Sequence, residues 1–242
     1  MLLDHIVHFI EETPEQAAAH WRGKGFYAAV GGRHEQWGTH NALLYLKNCY
    51  IEWLAVEKMD VARSADHPLT ALLLHDRKGF GTVCFRTDRI EALDERLTKE
   101  GFKTSGILNA QRKTGSGEVI RWRMLFLSEE ISDQLPAPFF IEWEETDEMR
   151  YESLRERGAI QPANEELELD LLVFGVRDPE ESRAKWKRIL GGSLALPNGQ
   201  IEFEELAGQK ERLQKVVFKQ SGKEETYEAG VYRLPVQGNI EN

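Results

Sequence analysis

The sequence predicts an α+β fold built from repeated β-α-β-β-β units, and three observations predict it. Strand-like runs and capped helices recur in the same order after restarts near residues 79 and 167. Two segments about ninety residues apart close on nearly the same words, Tyr50-Ile51-Glu52-Trp53 and Phe140-Ile141-Glu142-Trp143. One constant spacing also separates Phe9 from Phe174, Pro14 from Pro179 and Trp21 from Trp186.

Leu2 to Ile10 alternates as a strand, with His5, Val7 and Phe9 on one face and Asp4, Ile6 and His8 on the other. Thr13-Pro14-Glu15-Gln16 is a helix start, with a hydroxyl cap, Pro at the first helical position and acid in the first turn. The helix runs through Trp21 and stops near Gly23 to Gly25. Strands follow at Phe26 to Val30, Thr39 to Leu46 and Tyr50 to Val56, with turns at Gly31-Gly32 and Lys47-Asn48. These elements make a first unit, residues 1–57. Residues 57–78 connect, with a short helix over Leu69 to His75.

The second unit spans 79–146. Gly81 to Thr87 is its first strand, and Asp88 is expected to cap a helix from Arg89 to Glu100 that carries Ile90, Leu93 and Leu97 on one face. Strands follow at Lys103 to Leu108, Val119 to Leu127 and Phe139 to Glu145, with a turn at Thr114 to Gly117. A charged linker, 146–166, is helical over Glu148 to Glu156. The third unit, 167–220, is abbreviated to βαββ(β): Leu169 to Val176, a helix from Asp178-Pro179, then Gln200 to Leu206 and Leu213 to Gln220. Residues 221–242 read as a tail with little order.

The chain has 242 residues and a formal net charge of -10, which argues against nucleic acid or an anionic membrane as partner. Cys49 and Cys84 give neither a disulfide framework nor metal-thiolate spacing and read as small buried hydrophobes. The apolar N-terminus is short and interrupted by Asp4, His5 and Glu11, so neither a signal peptide nor an anchor is expected, and the expected location is the cytoplasm.

A carboxylate set between apolar residues of a strand is costly to bury unless it is paired, hydrogen-bonded or metal-bound. Two of them in a repeated context, Glu52 and Glu142, point to one shared site. The competing reading makes His5 a core histidine and gives the two Glu to Arg33, Arg121 or Arg123 as ion pairs. His34, Trp37, Thr39, His40 and Asn41 form a polar cluster that lines a cleft mouth or caps a sheet edge. Arg112, Arg121 and Arg123 lie in or beside second-unit strands, and Arg121 and Arg123 share one face opposite Trp122 and Met124.

Leu3-Asp4-His5-Ile6-Val7, Gly31-Gly32-Arg33-His34, Trp37-Gly38-Thr39, Asn41-Ala42-Leu43, Tyr50-Ile51-Glu52 and the arginines at 112, 121 and 123 together resemble the vicinal-oxygen-chelate superfamily, and within it the glyoxalase-like domain proteins. The resemblance implies that two units pair their sheets into a half-barrel cleft, with metal ligands on the first and last strands of each. Carried over, it gives His5, Glu52 and Glu142 as metal ligands, Glu142 as catalytic base, and His34, Trp37, Thr39, Asn41, Arg112 and Arg121 as substrate-binding. Thr82 stands where a second His is usual. The resemblance implies a divalent Fe, Mn, Ni or Zn ion, or none, and a small-molecule ligand. Two functions follow: a metal-dependent lyase, isomerase or dioxygenase acting on an oxygen-rich metabolite, or a metal-free binding protein using the same cleft. In the third unit Asp170 falls where His5 stands, and Ile201-Glu202-Phe203 lies on a penultimate strand, so no third metal site is expected. The chain is expected to be a monomer or homodimer.

Overall fold

A computed structural model describes residues 1–113, 119–206, 208 and 210–235. Two sheets organise the chain. The first has eight strands: β1 (Leu2–Phe9), β2 (Ala29–His34), β3 (Thr39–Tyr45), β4 (Tyr50–Val56), β5 (Gly79–Arg86), β6 (Thr104–Lys113), β7 (Val119–Leu127) and β8 (Phe139–Trp143). Their spatial order is β2-β3-β4-β1-β5-β8-β7-β6. The order is the same outward from the centre on both sides: β4 runs parallel to β1, β8 runs parallel to β5, and β1 and β5 meet antiparallel. Two βαβββ units therefore join through their first strands into one curled half-barrel, the α+β class that the sequence predicts.

Each helix begins where local chemistry satisfies its free amides. For α1 (Pro14–Gly23), Thr13 Oγ1 accepts from Gln16 N and Gln16 Oε1 accepts from Thr13 N, a reciprocal capping box. For α7 (Pro179–Leu190), Asp178 Oδ1 accepts from Glu181 N at 2.9 Å. The start of α4 (Ile90–Lys99) differs from the sequence expectation. Asp88 makes no cap there; Ile90 N instead donates to Glu142 Oε1 at 3.2 Å. Between the units lie α2 (Met59–Ser64) and α3 (Pro68–Asp76), and α5 (Asp147–Glu156) with α6 (Pro162–Glu165) replaces the linker.

The first sheet has two differently packed faces. Its convex face carries Leu3, Ile6, Ile51, Trp53, Val83, Phe85 and Phe140 into one core with α1, α4, α7 and the second sheet. Its concave face carries Val7, Phe9, Leu54, Cys84, Trp122, Met124, Phe139 and Ile141, covered by Leu72 and Leu73 of α3. The concave face is the cleft.

The second sheet contains β9 (Leu169–Val176), β10 (Ala195–Leu196), β11 (Gly199–Glu205), β12 (Arg212–Phe218), β13 (Ser221–Tyr227) and β14 (Gly230–Pro235), ordered β10-β11-β9-β12-β14-β13. Its pairings repeat those of the first: β9 is parallel to β11, antiparallel to β12, and β12 is parallel to β14. Two expectations are corrected here. Residues 221–235 form a hairpin rather than a tail, because alternating Tyr227, Tyr232 and Leu234 bury against the shared core. Strand β12 then opens a fourth, helix-less unit, and β11 is the last strand of the third, with Glu202 exposed on it. His8 and Trp53 fasten the two sheets: His8 Nδ1 is 2.5 Å from Tyr232 Oη, and Trp53 Nε1 donates to the same oxygen at 3.2 Å.

Candidate active site

His5, on β1, and Glu52, on β4, project from neighbouring strands onto the concave face, where Nε2 and Oε2 lie 3.5 Å apart. Both are buried. Asn41 of β3 donates its amide N–H to Glu52 Oε1 at 2.6 Å, while its carbonyl oxygen accepts from Gly32 N at 2.9 Å. Gly31 and Gly32, expected as a turn, lie within β2 at an irregularity between Val30 and Arg33. A side chain at Gly31 would place its Cβ 2.0 Å from Asn41 Oδ1, so the bare backbone is what lets β2 wrap this amide.

Asp4 lies beneath the imidazole. Strict alternation would put it on the opposite face from His5, but the register shifts between Leu3 and His5, and Asp4 Oδ1 sits 2.8 Å from His5 Nδ1. Asp4 Oδ2 accepts from Trp143 Nε1 at 3.0 Å, Arg150 at 3.3 Å and Arg86 at 3.4 Å. Full burial alone would push the Asp4 carboxyl up, but Arg150, then His5 and Arg86, outweigh it and hold the group well below the carboxylate range. An ionised Asp4 accepts the hydrogen bond of Nδ1–H, which keeps a proton on that nitrogen and turns Nε2 to the cleft. Tyr50 stacks on the ring at 4.6 Å, and Phe139 meets it edge-on at 5.4 Å.

Glu142 does not join this group. Its Oε2 accepts from Arg123 Nε at 2.7 Å on the outer face of β8, beside the α4 amide that it caps. The physical reason is register. Val7 pairs with Thr82 and His5 with Cys84 across the β1–β5 axis, so His5 corresponds to Thr82 and Val7 to Cys84. Glu52 is the β4 partner of Val7, whereas the β8 partner of Cys84 is Phe139. The repeated sequence words are thus three residues out of structural register, and an odd slip turns a strand residue to the other face.

The remaining expected residues divide. His34, Trp37, Thr39 and Asn41 line the cleft with His5 and Glu52. His34 Nδ1 is 3.0 Å from Thr39 Oγ1, and Trp37 stacks on His67 at 4.0 Å. Arg121 lies on the outer face, paired with Glu144 at 3.3 Å. Arg112 pairs through its backbone with Ile120 on that same hairpin; its side chain, like the Thr114 to Gly117 turn, lies outside the described residues. Four contributors carried no sequence signal: Asp4 as partner to His5, Phe139, Arg150 from α5, and His67 ahead of α3.

The described donor set does not match a retained transition metal. His5 and Glu52 supply two donors, and a catalytic site of this kind normally takes three from the protein. Thr82 spends its hydroxyl on Ala137 O at 3.0 Å. Asp4, His5 and Cys84 approach within 4.8 Å. In that second trio, however, Asp4 is saturated by cations, His5 Nδ1 is committed to it, and burial pushes the Cys84 thiol far up.

A family model of the glyoxalase-like domain matches residues 3–190. The crystal structure of a hypothetical protein from Staphylococcus aureus superposes with a TM-score of 0.80 at 22% identity, covering 96% of this chain and 97% of that one. Streptomyces coelicolor methylmalonyl-CoA epimerase in complex with 2-nitronate-propionyl-CoA gives 0.43 at 17% identity over 60% of this chain and 99% of that one. No curated protein matches. No helix among the described residues is long and apolar enough to cross a membrane.

Proposed function

The chain belongs to the glyoxalase-like domain family of the vicinal-oxygen-chelate superfamily, and from that premise we propose that its cleft binds a small α-hydroxycarbonyl compound and moves a proton on the carbon beside the carbonyl, as an isomerase or lyase would. The observation that carries this reading is the pairing of His5 Nε2 with Glu52 Oε2 at 3.5 Å on the cleft wall, each held from behind by its own partner. Glu52 takes the proton from carbon while the imidazolium form of His5 gives its Nε2 proton to the carbonyl oxygen, so that an enediol forms. It collapses as Glu52 returns its proton to the same carbon or to its neighbour and the imidazole takes one back from the matching oxygen. Asp4 orients the imidazole and offsets its charge, and the Asn41 amide steadies the carboxylate that receives the proton. Walls of Leu54, Met124, Phe139 and Ile141 exclude water and strengthen these interactions. No metal step enters, because the donors present suit none.

Solvent exchange tests the reading. Hydroxyacetone in deuterated water should lose its carbon-bound protons faster with the protein present, followed by proton NMR, and Glu52→Gln should remove that acceleration. Hydroxyacetone bound without exchange would reduce the cleft to a sequestering site. Exchange that persists in Glu52→Gln would overturn the assignment.

A further inference from the structure

A second cavity of about 690 Å³ adjoins the cleft, and its wall is built unlike a mouth for a charged group. Leu69 and Phe139 line both spaces. Beyond them the floor is Pro68, Leu72, Phe126 and Thr82, and the roof is the loop joining β7 to β8, including Leu135 and Ala137. Its volume is that of an ordinary ligand site, whereas the free space beside His5 is only about 90 Å³. Thr82 explains why the space exists. It occupies the position that the pseudo-twofold relates to His5, it is smaller than an imidazole, and Ala137 O already satisfies its hydroxyl.

Three carboxylates at the rim, Glu129, Glu130 and Asp133, face two cations already engaged, Lys185 with Glu129 and Arg177 with Glu211. Such a rim repels a polyphosphate or a second carboxylate. At the junction, His67 lines the cleft at 5% exposure, and its Nε2 has no hydrogen-bond partner among the described residues. Burial, then the neighbouring His34, pushes this imidazole down to about 4, so it is neutral. Its Nδ1 lies 3.4 Å from Thr70 Oγ1, and when that hydroxyl donates to it the ring proton sits on Nε2, free for a ligand oxygen. A buried donor without a partner is what a ligand oxygen would relieve.

We infer that this cavity is a subsite for the uncharged apolar tail of the ligand, whose oxygen-bearing head sits at His5 and Glu52, and that His67 donates to a ligand oxygen at the junction. The inference rests on the head-group reading above and adds the substrate class: a medium-chain rather than a three-carbon α-hydroxyketone, carrying no phosphate or nucleotide.

Calorimetric titration of hydroxyacetone and its butyl, hexyl and octyl homologues into the full chain tests it. Affinity should rise roughly three- to fourfold per added methylene until the cavity is full. Ala137→Trp and, independently, Leu72→Trp should abolish that rise and leave hydroxyacetone affinity unaltered, with cooperative melting showing that each variant is folded. His67→Phe should weaken every homologue that reaches the junction by a similar factor and keep the slope. Hydroxyacetone binding with a flat series would overturn the tail subsite and leave the head-group reading standing. A slope surviving both tryptophan variants would place the tail elsewhere and likewise overturn it. No binding by any member of the series would overturn both.

Discussion

Asn41 Nδ2 donates to Glu52 Oε1 at 2.6 Å, and the carbonyl end of the same amide is held by Gly32 N. One side chain thus couples an irregular edge strand to the buried carboxylate. Asn41→Leu keeps the shape and removes the bond, which should weaken hydroxyacetone binding about tenfold. Gly31→Ala should give the same loss without touching the site, because its Cβ would evict Asn41 Oδ1. Titration of both variants checks this. A normal affinity in Gly31→Ala would separate the bulge from the site.

Glu142 pairs with Arg123 and caps α4 on the outer face. Glu142→Gln weakens the Arg123 pair and the α4 cap, both at the sheet surface, and should cost about 1 kcal/mol, or a melting point lower by roughly 2–4 °C. Ligand affinity and proton exchange should not change. Scanning calorimetry beside the exchange assay separates the two effects.

Asp4 ties acid stability to the site. The folded chain holds the Asp4 proton less tightly than the unfolded chain does, so its contribution is present above the ordinary carboxylate pKa of about 4 and is lost as pH falls through the lower folded value. Asp4→Asn leaves the buried Arg86 and Arg150 with only the half-exposed Asp147 as counter-charge, at a cost of about 3 kcal/mol at neutral pH. The variant should also show a shallower stability loss below pH 4. Urea unfolding across that range reads both numbers.

His8 acts at higher pH. Burial lowers it from the ordinary 6.5 to about 4, against an opposing contribution from the Glu228 carbonyl. The unfolded chain takes up a proton below 6.5 that the folded chain refuses, so stability is full above 6.5 and falls between 6.5 and about 4 by roughly 3 kcal/mol. His67 titrates over the same window. His8→Phe should therefore remove its own share, about half of the combined His8 and His67 slope, seen in melting temperatures at pH 7 and pH 5. An unchanged slope would deny His8 its buried neutral state between the sheets.

The sequence made the strand order of the first two units and the Thr13 and Asp178 helix starts legible, because hydrophobic alternation and capping are local signals. The resemblance singled out His5, Glu52, His34, Trp37, Thr39 and Asn41, and these six side chains line one cavity, which His40 does not. Glu142 misled because identical words on two strands need not share a register: pairing across β5 and β8, invisible in sequence, put Phe139 in its place. Asp4 was hidden by a bulge that breaks the two-residue period. The 221–235 hairpin escaped because its polar residues outnumber the few aromatics that bury it against Trp21 and Trp53.

Elemental analysis of protein purified without chelator, soaked with Zn(II) or Mn(II) and dialysed, addresses the centre of the account most directly. A site of one imidazole and one carboxylate, with Glu142 turned outward, should retain well below one equivalent, and Glu142→Gln should retain the same amount as the parent chain. One full equivalent, lost on Glu142→Gln, would contradict it.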